Sequence, residues 1–314
     1  MGFLRVIVML VALGGCASES IAPAQVPATG ATGALSFDTA GSFLRGSGHH
    51  SLQSSTVSLT GTLQMPAGSG PFPAIVVAHG CNGNRNTERA WGPTLRSWGY
   101  ATFVIDSFSG RGLAEVCTNM GLSPLQRIPD AYGALRLLAA HPQIDPKRIA
   151  LMGFSHGGAL SMLASTAWAK ETFVSAGAPA FRAFVPFYPN CNADFPERKR
   201  VSAPVRIHTG EADDWTPAKP CAELAAALKA AGQDVQIHVY PGAQHGFDQS
   251  QRQIFLPNVN NGSGCFPRMA SILGPVAPRG VAGCVKKGAT VGPHPAAAAQ
   301  ARANLRAQLD ELMK

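Results

Sequence analysis

The apolar positions of this chain fall into short unbroken runs separated by amphipathic stretches. Residues 74–78 (Ala-Ile-Val-Val-Ala) are apolar throughout, preceded by Pro71 and Pro73 and ended by His79-Gly80. A run with no polar position has no face for water, so it predicts a strand covered on both sides, as in a parallel sheet. Further strands are predicted at 100–105, 149–154, 181–187, 205–209 and 235–240. Residues 56–65 instead alternate, which predicts a half-buried strand before Pro66. Helices are predicted over 89–98, 124–140, 156 to about 168, 217–231 and 296–312. In the second of these, Leu125, Ile128, Ala131, Leu135 and Leu138 recur at helical spacing. Strand and helix alternate along the chain. That order predicts an α/β fold with a mostly parallel central sheet and helices on both faces.

Three segments fall outside this rhythm. Residues 1–15 carry one basic residue, Arg5, ahead of an apolar run from Val6 to Leu13, too short to span a bilayer and sized for a secretory signal. Leu13-Gly14-Gly15-Cys16 resembles a bacterial lipobox, which makes Cys16 the candidate lipidation site. With Ala17 after the cysteine, that resemblance implies an outer-membrane lipoprotein facing the periplasm, an ordinary secretory signal being the rival reading. Membrane contact is then expected only through the N-terminal anchor. Residues 16–45 are small, polar and proline-containing and predict a flexible tether. Residues 247–295, rich in Gly, Asn and Pro, predict an insertion, either a stapled lid near the site or a remote decoration.

Composition adds two constraints. The chain has 314 residues, 46% of them hydrophobic, enough for a large single core. A formal charge of +8 raises nucleic acid as a partner, but the Lys and Arg are scattered, with small clusters only at 198–200 and 286–287. A solvated basic surface is the reading adopted, with no nucleic-acid partner. Setting Cys16 apart from the 7 cysteines leaves an even set, which in an exported chain predicts disulfides. Sequential pairing, Cys81–Cys117, Cys191–Cys221 and Cys265–Cys284, lets each pair staple one loop region. No cysteine or histidine spacing suggests a metal.

The chemistry centres on Gly153-Phe154-Ser155-His156-Gly157, a G-x-S-x-G pattern between a predicted strand and a predicted helix. The pattern resembles the nucleophile elbow of the α/β-hydrolase fold, in which a serine sits on a sharp strand-to-helix turn. A serine hydroxyl needs a base to take its proton and a carboxylate to orient that base. The fold's order of nucleophile, acid, base leaves Asp213 or Asp214, with Asp194 as a third option, and then His245 in the loop after the last clear strand. His208 and His238 lie within predicted strands and His156 adjoins the nucleophile, where its backbone N–H matters more than its ring. That N–H and one from the loop after residue 78, Cys81 or Asn82, are the candidate oxyanion donors.

Taken together, the chain resembles the dienelactone hydrolase family. The resemblance rests on His79-Gly80-Cys81-Asn82-Gly83, on Asp106-Ser107-Phe108 with Arg111-Gly112, and on the elbow itself. It also rests on Gly210-Glu211-Ala212-Asp213-Asp214-Trp215-Thr216-Pro217 and on Tyr240-Pro241-Gly242-Ala243-Gln244-His245-Gly246-Phe247. It implies Asp213 as the acid, Cys81 as the second oxyanion donor, no cofactor, and a small-molecule ester substrate. Arg111 and Trp215 are candidate substrate contacts, Arg111 having loop stabilisation as its alternative. Dienelactone hydrolases carry a cysteine nucleophile and a controlling glutamate; here those positions hold Ser155 and Gly80. A general serine esterase on residues 46–314, acting as a monomer, is therefore the expectation. A ligand-binding protein on the same fold, or a peptidase or acyltransferase with the same triad, are the alternatives.

Overall fold

A computed structural model describes residues 30–45, 50–83, 87–119, 121–250, 252–275 and 283–313. The expected signal segment and Cys16 lie outside the described residues. The chain begins with β1 (Gly33–Asp38), β2 (Ser42–Arg45), β3 (His50–Gln53), β4 (Ser58–Gln64), β5 (Phe72–Ala78), α1 (Thr87–Ser97) and β6 (Ala101–Asp106). It continues with α2 (Ile128–Ala139), β7 (Ile144–Phe154), α3 (His156–Ala164), α4 (Ala167–Phe173) and β8 (Ala183–Phe187). It closes with β9 (Val205–Gly210), α5 (Ala218–Ala230), β10 (Val235–Tyr240), β11 (Ile254–Asn261), β12 (Lys286–Val291) and α6 (Pro295–Met313).

Eight strands form one sheet in the order β1-β4-β6-β5-β7-β8-β9-β10. From β6 to β10 every neighbouring pair is parallel, and β4 and β1 extend the other edge antiparallel. The apolar run in β5 explains why the core has two halves. Ala74, Val76 and Ala78 enter one cluster, with Ile128 and Leu135 of α2, Leu160 of α3 and Leu228 of α5. Ile75 and Val77 point the other way and meet Trp91 and Leu95 of α1 and Leu305 and Leu309 of α6. Period-two side chains on a strand covered by helices on both faces require this division. Each fully buried Val, Ile or Leu contributes about 1.5–3 kcal/mol, so the middle of the sheet supplies much of the burial that stabilises the fold.

The sequence expectations differ from the structure at three places. Residues 33–45, expected within the tether, form β1 and β2, and β1 pairs with β4 from Gly33↔Leu63 to Asp38↔Ser58. The cause is a short alternation in which Leu35 and Phe37 turn inward while Ala34, Ser36 and Asp38 stay exposed. The helix expected from 156 to about 168 ends at Ala164, and Thr166 caps a separate α4 by accepting the Ala169 N–H at 3.2 Å. Residues 254–291 hold an antiparallel β11–β12 pair that polar composition concealed. This insertion packs near the carboxyl ends of the central strands: Thr290 of β12 donates from its N–H and hydroxyl to Asp214, each at 2.8 Å.

Cys81–Cys117, Cys191–Cys221 and Cys265–Cys284 are disulfide-bonded, the sequential pairing expected. Disulfides of this number mark a chain that folds in an oxidising, exported environment. Among the described residues, no helix is long and apolar enough to cross a membrane.

Candidate active site

The end of β7 turns into α3 through one residue, Ser155, whose φ of 54° and ψ of −112° lie outside the ordinary regions for an L-residue. Glycine makes the turn sterically feasible. A Cβ on Gly153 would lie 2.0 Å from the Gly157 carbonyl oxygen, and one on Gly157 would lie 2.2 Å from that of Ala78. The Ser155 N–H donates to Phe187 O at 3.0 Å, which ties the elbow to β8.

Two loops meet the hydroxyl from the far side. The turn after β10 carries His245, with Nε2 2.8 Å from Ser155 Oγ and Nδ1 2.8 Å from Asp213 Oδ2. Asp213 is in the turn after β9, with a fully buried side chain. Its Oδ1 accepts the N–H groups of Trp215 at 2.9 Å and Thr216 at 2.8 Å, leaving Oδ2 for the imidazole. The Thr216 hydroxyl is 2.9 Å from Asp213 Oδ2 and 3.0 Å from Tyr188 O. A carboxylate with this many donors is held in one orientation. The neighbouring Asp214 points away to Thr290, and Asp194 lies far less buried beside Arg198. The structure therefore brings together Ser155, His245 and Asp213.

The loop after β5 runs alongside. A Cβ on Gly80 would stand 3.7 Å from Ser155 Cβ, and Cys81 and His156 line one cavity with Ser155. The Cys81–Cys117 disulfide and the Val116 N–H donating to Cys81 O at 2.8 Å fix this loop. His79 faces the protein interior: its Nε2 accepts the Ser107 N–H at 3.2 Å, so Nδ1 donates to Gly80 O at 2.8 Å. Burial, with Arg127 nearby, pulls the His79 pKa down to about 3, so the ring is neutral. Its ring thus holds the loop after β5 against Ser107.

Arg111 does not reach the cavity. Nη2 and Nη1 donate to Asp130 Oδ1 and Oδ2 at 2.7 and 3.0 Å, and Nη1 to Ser107 O at 2.7 Å. The substrate-contact expectation for it gives way to loop stabilisation, because the fully buried Asp130 claims both arms of the guanidinium. Trp215 does line the cavity; its Nε1–H donates to Asn260 O of β11 at 2.9 Å, and its ring lies 4.9 Å from that of His245.

Sequence reasoning missed two supports. Arg127, fully buried, donates from Nη1 to His79 O at 3.0 Å and to His156 Nδ1 at 2.8 Å, while His156 Nε2–H donates to Leu122 O at 2.9 Å. The pair braces the first turn of α3, and burial with Arg127 close by holds His156 neutral. An arginine in an amphipathic stretch reads as surface, so nothing marked it. Asp248 is the second: it accepts from Trp91 Nε1 at 2.6 Å and Tyr188 OH at 2.9 Å, and the Tyr188 ring lies 4.7 Å from that of His245. Its position three residues after His245 was the available signal.

The sequence pattern of the dienelactone hydrolase family matches residues 59–263. The chain belongs to the dienelactone hydrolase family. It is accordingly a hydrolase acting on ester bonds. It is 24% identical over 213 residues to the “Probable 2-oxo-3-(5-oxofuran-2-ylidene)propanoate lactonase” of Bradyrhizobium sp, covering 62% of this chain and 81% of that one. It is 26% identical over 206 residues to the “Putative carboxymethylenebutenolidase” of Methylorubrum extorquens, covering 60% and 67%. The crystal structure of a “Putative Dienelactone Hydrolase” from Klebsiella pneumoniae shares the fold, with a TM-score of 0.50, 20% identity, and coverage of 68% of this chain and 88% of that one. The family match ends at residue 263, so the Cys265–Cys284 segment and α6 lie beyond it.

Proposed function

We propose that the chain is an exported serine hydrolase that cleaves carboxylic esters of small molecules through Ser155, His245 and Asp213. The observation that carries the reading is the continuous line from Ser155 Oγ through His245 to the buried Asp213, with 2.8 Å at each step. His245 Nδ1–H donates to Asp213, which leaves Nε2 free to accept the Ser155 proton as Oγ attacks the ester carbonyl. Asp213 stabilises the imidazolium so formed. The N–H groups of Cys81 and His156 receive the oxyanion, and the protonated His245 then returns its proton to the leaving alcohol. Water repeats the sequence on the acyl-enzyme and frees the acid.

The disulfides and the leader support export, with Cys16 acylated at the outer membrane and residues 17–32 as the tether. One acyl chain binds a bilayer marginally, so anchoring calls for a multiply acylated Cys16. A fluorophosphonate probe tests the nucleophile. Labelling of native protein should map to Ser155 by peptide mass spectrometry; an unlabelled Ser155 in folded protein would favour a ligand-binding module on the same fold.

A further inference from the structure

The cavity at Ser155 does not stop at the elbow; it encloses about 900 Å³ and continues along α3. Ala159, Met162 and Leu163 line it after Ser155 and His156, at a spacing that puts them on one face of the helix. From Ser155 to Leu163 this face descends about 12 Å at 1.5 Å per residue. Leu224 and Leu228, one turn apart on α5, line it too. A segment beyond the family match adds another wall: Pro267, Met269 and Ile272, within the loop stapled by Cys265–Cys284. That wall is fastened in place. Asp194 exchanges backbone hydrogen bonds with Pro267 O at 2.8 Å and Met269 N–H at 2.9 Å, and Ile272 N–H donates to Glu197 Oε2 at 3.0 Å.

The lining is mostly apolar, with uncharged polar side chains such as Asn119, Gln126, Asn190 and Asn260 among it, and it is nearly uncharged. Among the described residues it contains no Asp, Glu or Lys, and its one arginine, Arg198, is directed at Ala193 O and at Asp194, 3.9 Å away. Among the described residues of the lining, then, no Lys or Arg is left to pair with a substrate carboxylate. Cys81 and His156, the proposed oxyanion donors, line the cavity with Ser155, and so do Trp215 and Thr216, which contact His245.

Building on the esterase reading above, we propose that the stapled segment converts a groove along α3 into a pocket for a linear, neutral, medium-chain acyl group. Carbon–carbon bonds of about 1.5 Å at tetrahedral angles advance roughly 1.3 Å per carbon, so about nine carbons match the depth of the α3 face.

The test is a series of p-nitrophenyl esters from acetyl to dodecanoyl, run beside a series of alkyl acetates. The expected result is a kcat/KM that climbs at least tenfold from acetyl to octanoyl or decanoyl and falls beyond, with little dependence on alcohol length. Leu163→Trp and Ile272→Trp, with circular dichroism confirming the fold, should each lower the octanoyl-to-acetyl ratio about tenfold or more. Thermal shifts of Ser155→Ala by octanamide against acetamide read the pocket without turnover. A selective octanamide shift without wild-type ester turnover would uphold the pocket and fault the catalytic reading. Acetyl turnover with a flat acyl series, or a preference that follows the alcohol, would overturn the pocket assignment.

Discussion

Asp213 and Asp214 are adjacent in the chain and face different elements: Asp213 Oδ2 lies 2.8 Å from His245 Nδ1, and Asp214 receives the N–H and hydroxyl of Thr290, each at 2.8 Å. The turn after β9 directs one carboxylate inward to the imidazole and the other to the insertion. Asp213→Asn should lower kcat by about 10³–10⁴, as expected when the imidazole loses its orienting anion. Asp214→Asn should cost less than tenfold and act through the seating of β12. Steady-state kinetics on p-nitrophenyl butyrate compare the two, and a larger loss at Asp214 would reassign the acid.

Arg111 and Asp130 make a separate prediction. Removing the guanidinium leaves Asp130 buried without its ion-pair partner, and burial already pushes that carboxyl above its ordinary pKa. Arg111→Ala should lose about 3–5 kcal/mol in urea unfolding. Its ratio of activity on anionic to neutral esters should match wild type; a selective loss on anionic esters would return Arg111 to the substrate.

The Cys81–Cys117 bridge constrains a sequence separation of 36 residues and anchors the loop bearing one proposed oxyanion donor. Cys81→Ala/Cys117→Ala should lose about 3–4 kcal/mol of stability by the chain-entropy relation. Turnover in protein still folded at 20 °C should fall about 10- to 100-fold, since a poorly held donor stabilises the oxyanion less. Undiminished kcat in the double variant would show that the bridge does not position the donor.

His208 carries a pH prediction. Its Nδ1 contacts Tyr240 OH at 2.7 Å, its Nε2 contacts Gln308 Oε1 at 3.0 Å, and burial together with His238 lowers its pKa from 6.5 to about 3. The unfolded chain binds the proton between those values and the folded one does not, so stability falls as pH drops below 6.5. From pH 7.5 to 5.0 the loss from this one group is about 2 kcal/mol. Urea titrations should find His208→Gln less sensitive to that acidification by about this amount, and equal sensitivity would refute a neutral buried ring.

The central strands were legible because burial on both faces leaves no polar position, a pattern the run at 74–78 carries openly. The elbow was legible because Gly153 and Gly157 are sterically required. β1 escaped notice because only Leu35 and Phe37 mark its inward side, amid small residues that read as a tether. β11 and β12 form a two-stranded sheet of their own, tied to the rest by a bridge from Val291 to His245, and much of their surface stays wet: even Phe255 remains 61% exposed. The pairing of Arg111 with Asp130 spans 19 positions, and no local pattern reports it. Spacing alone does not separate two adjacent carboxylates; the family resemblance implied Asp213, and the backbone of the turn directs that one to His245.

Substitution of Ser155 tests the whole account most directly. Purified wild-type and Ser155→Ala proteins, matched by circular dichroism, should be compared for p-nitrophenyl butyrate turnover. The expected result is hydrolysis by the wild type and a loss of at least about 10⁴-fold in kcat for the variant. Turnover that survives undiminished in folded Ser155→Ala would contradict the assignment of this serine as the nucleophile.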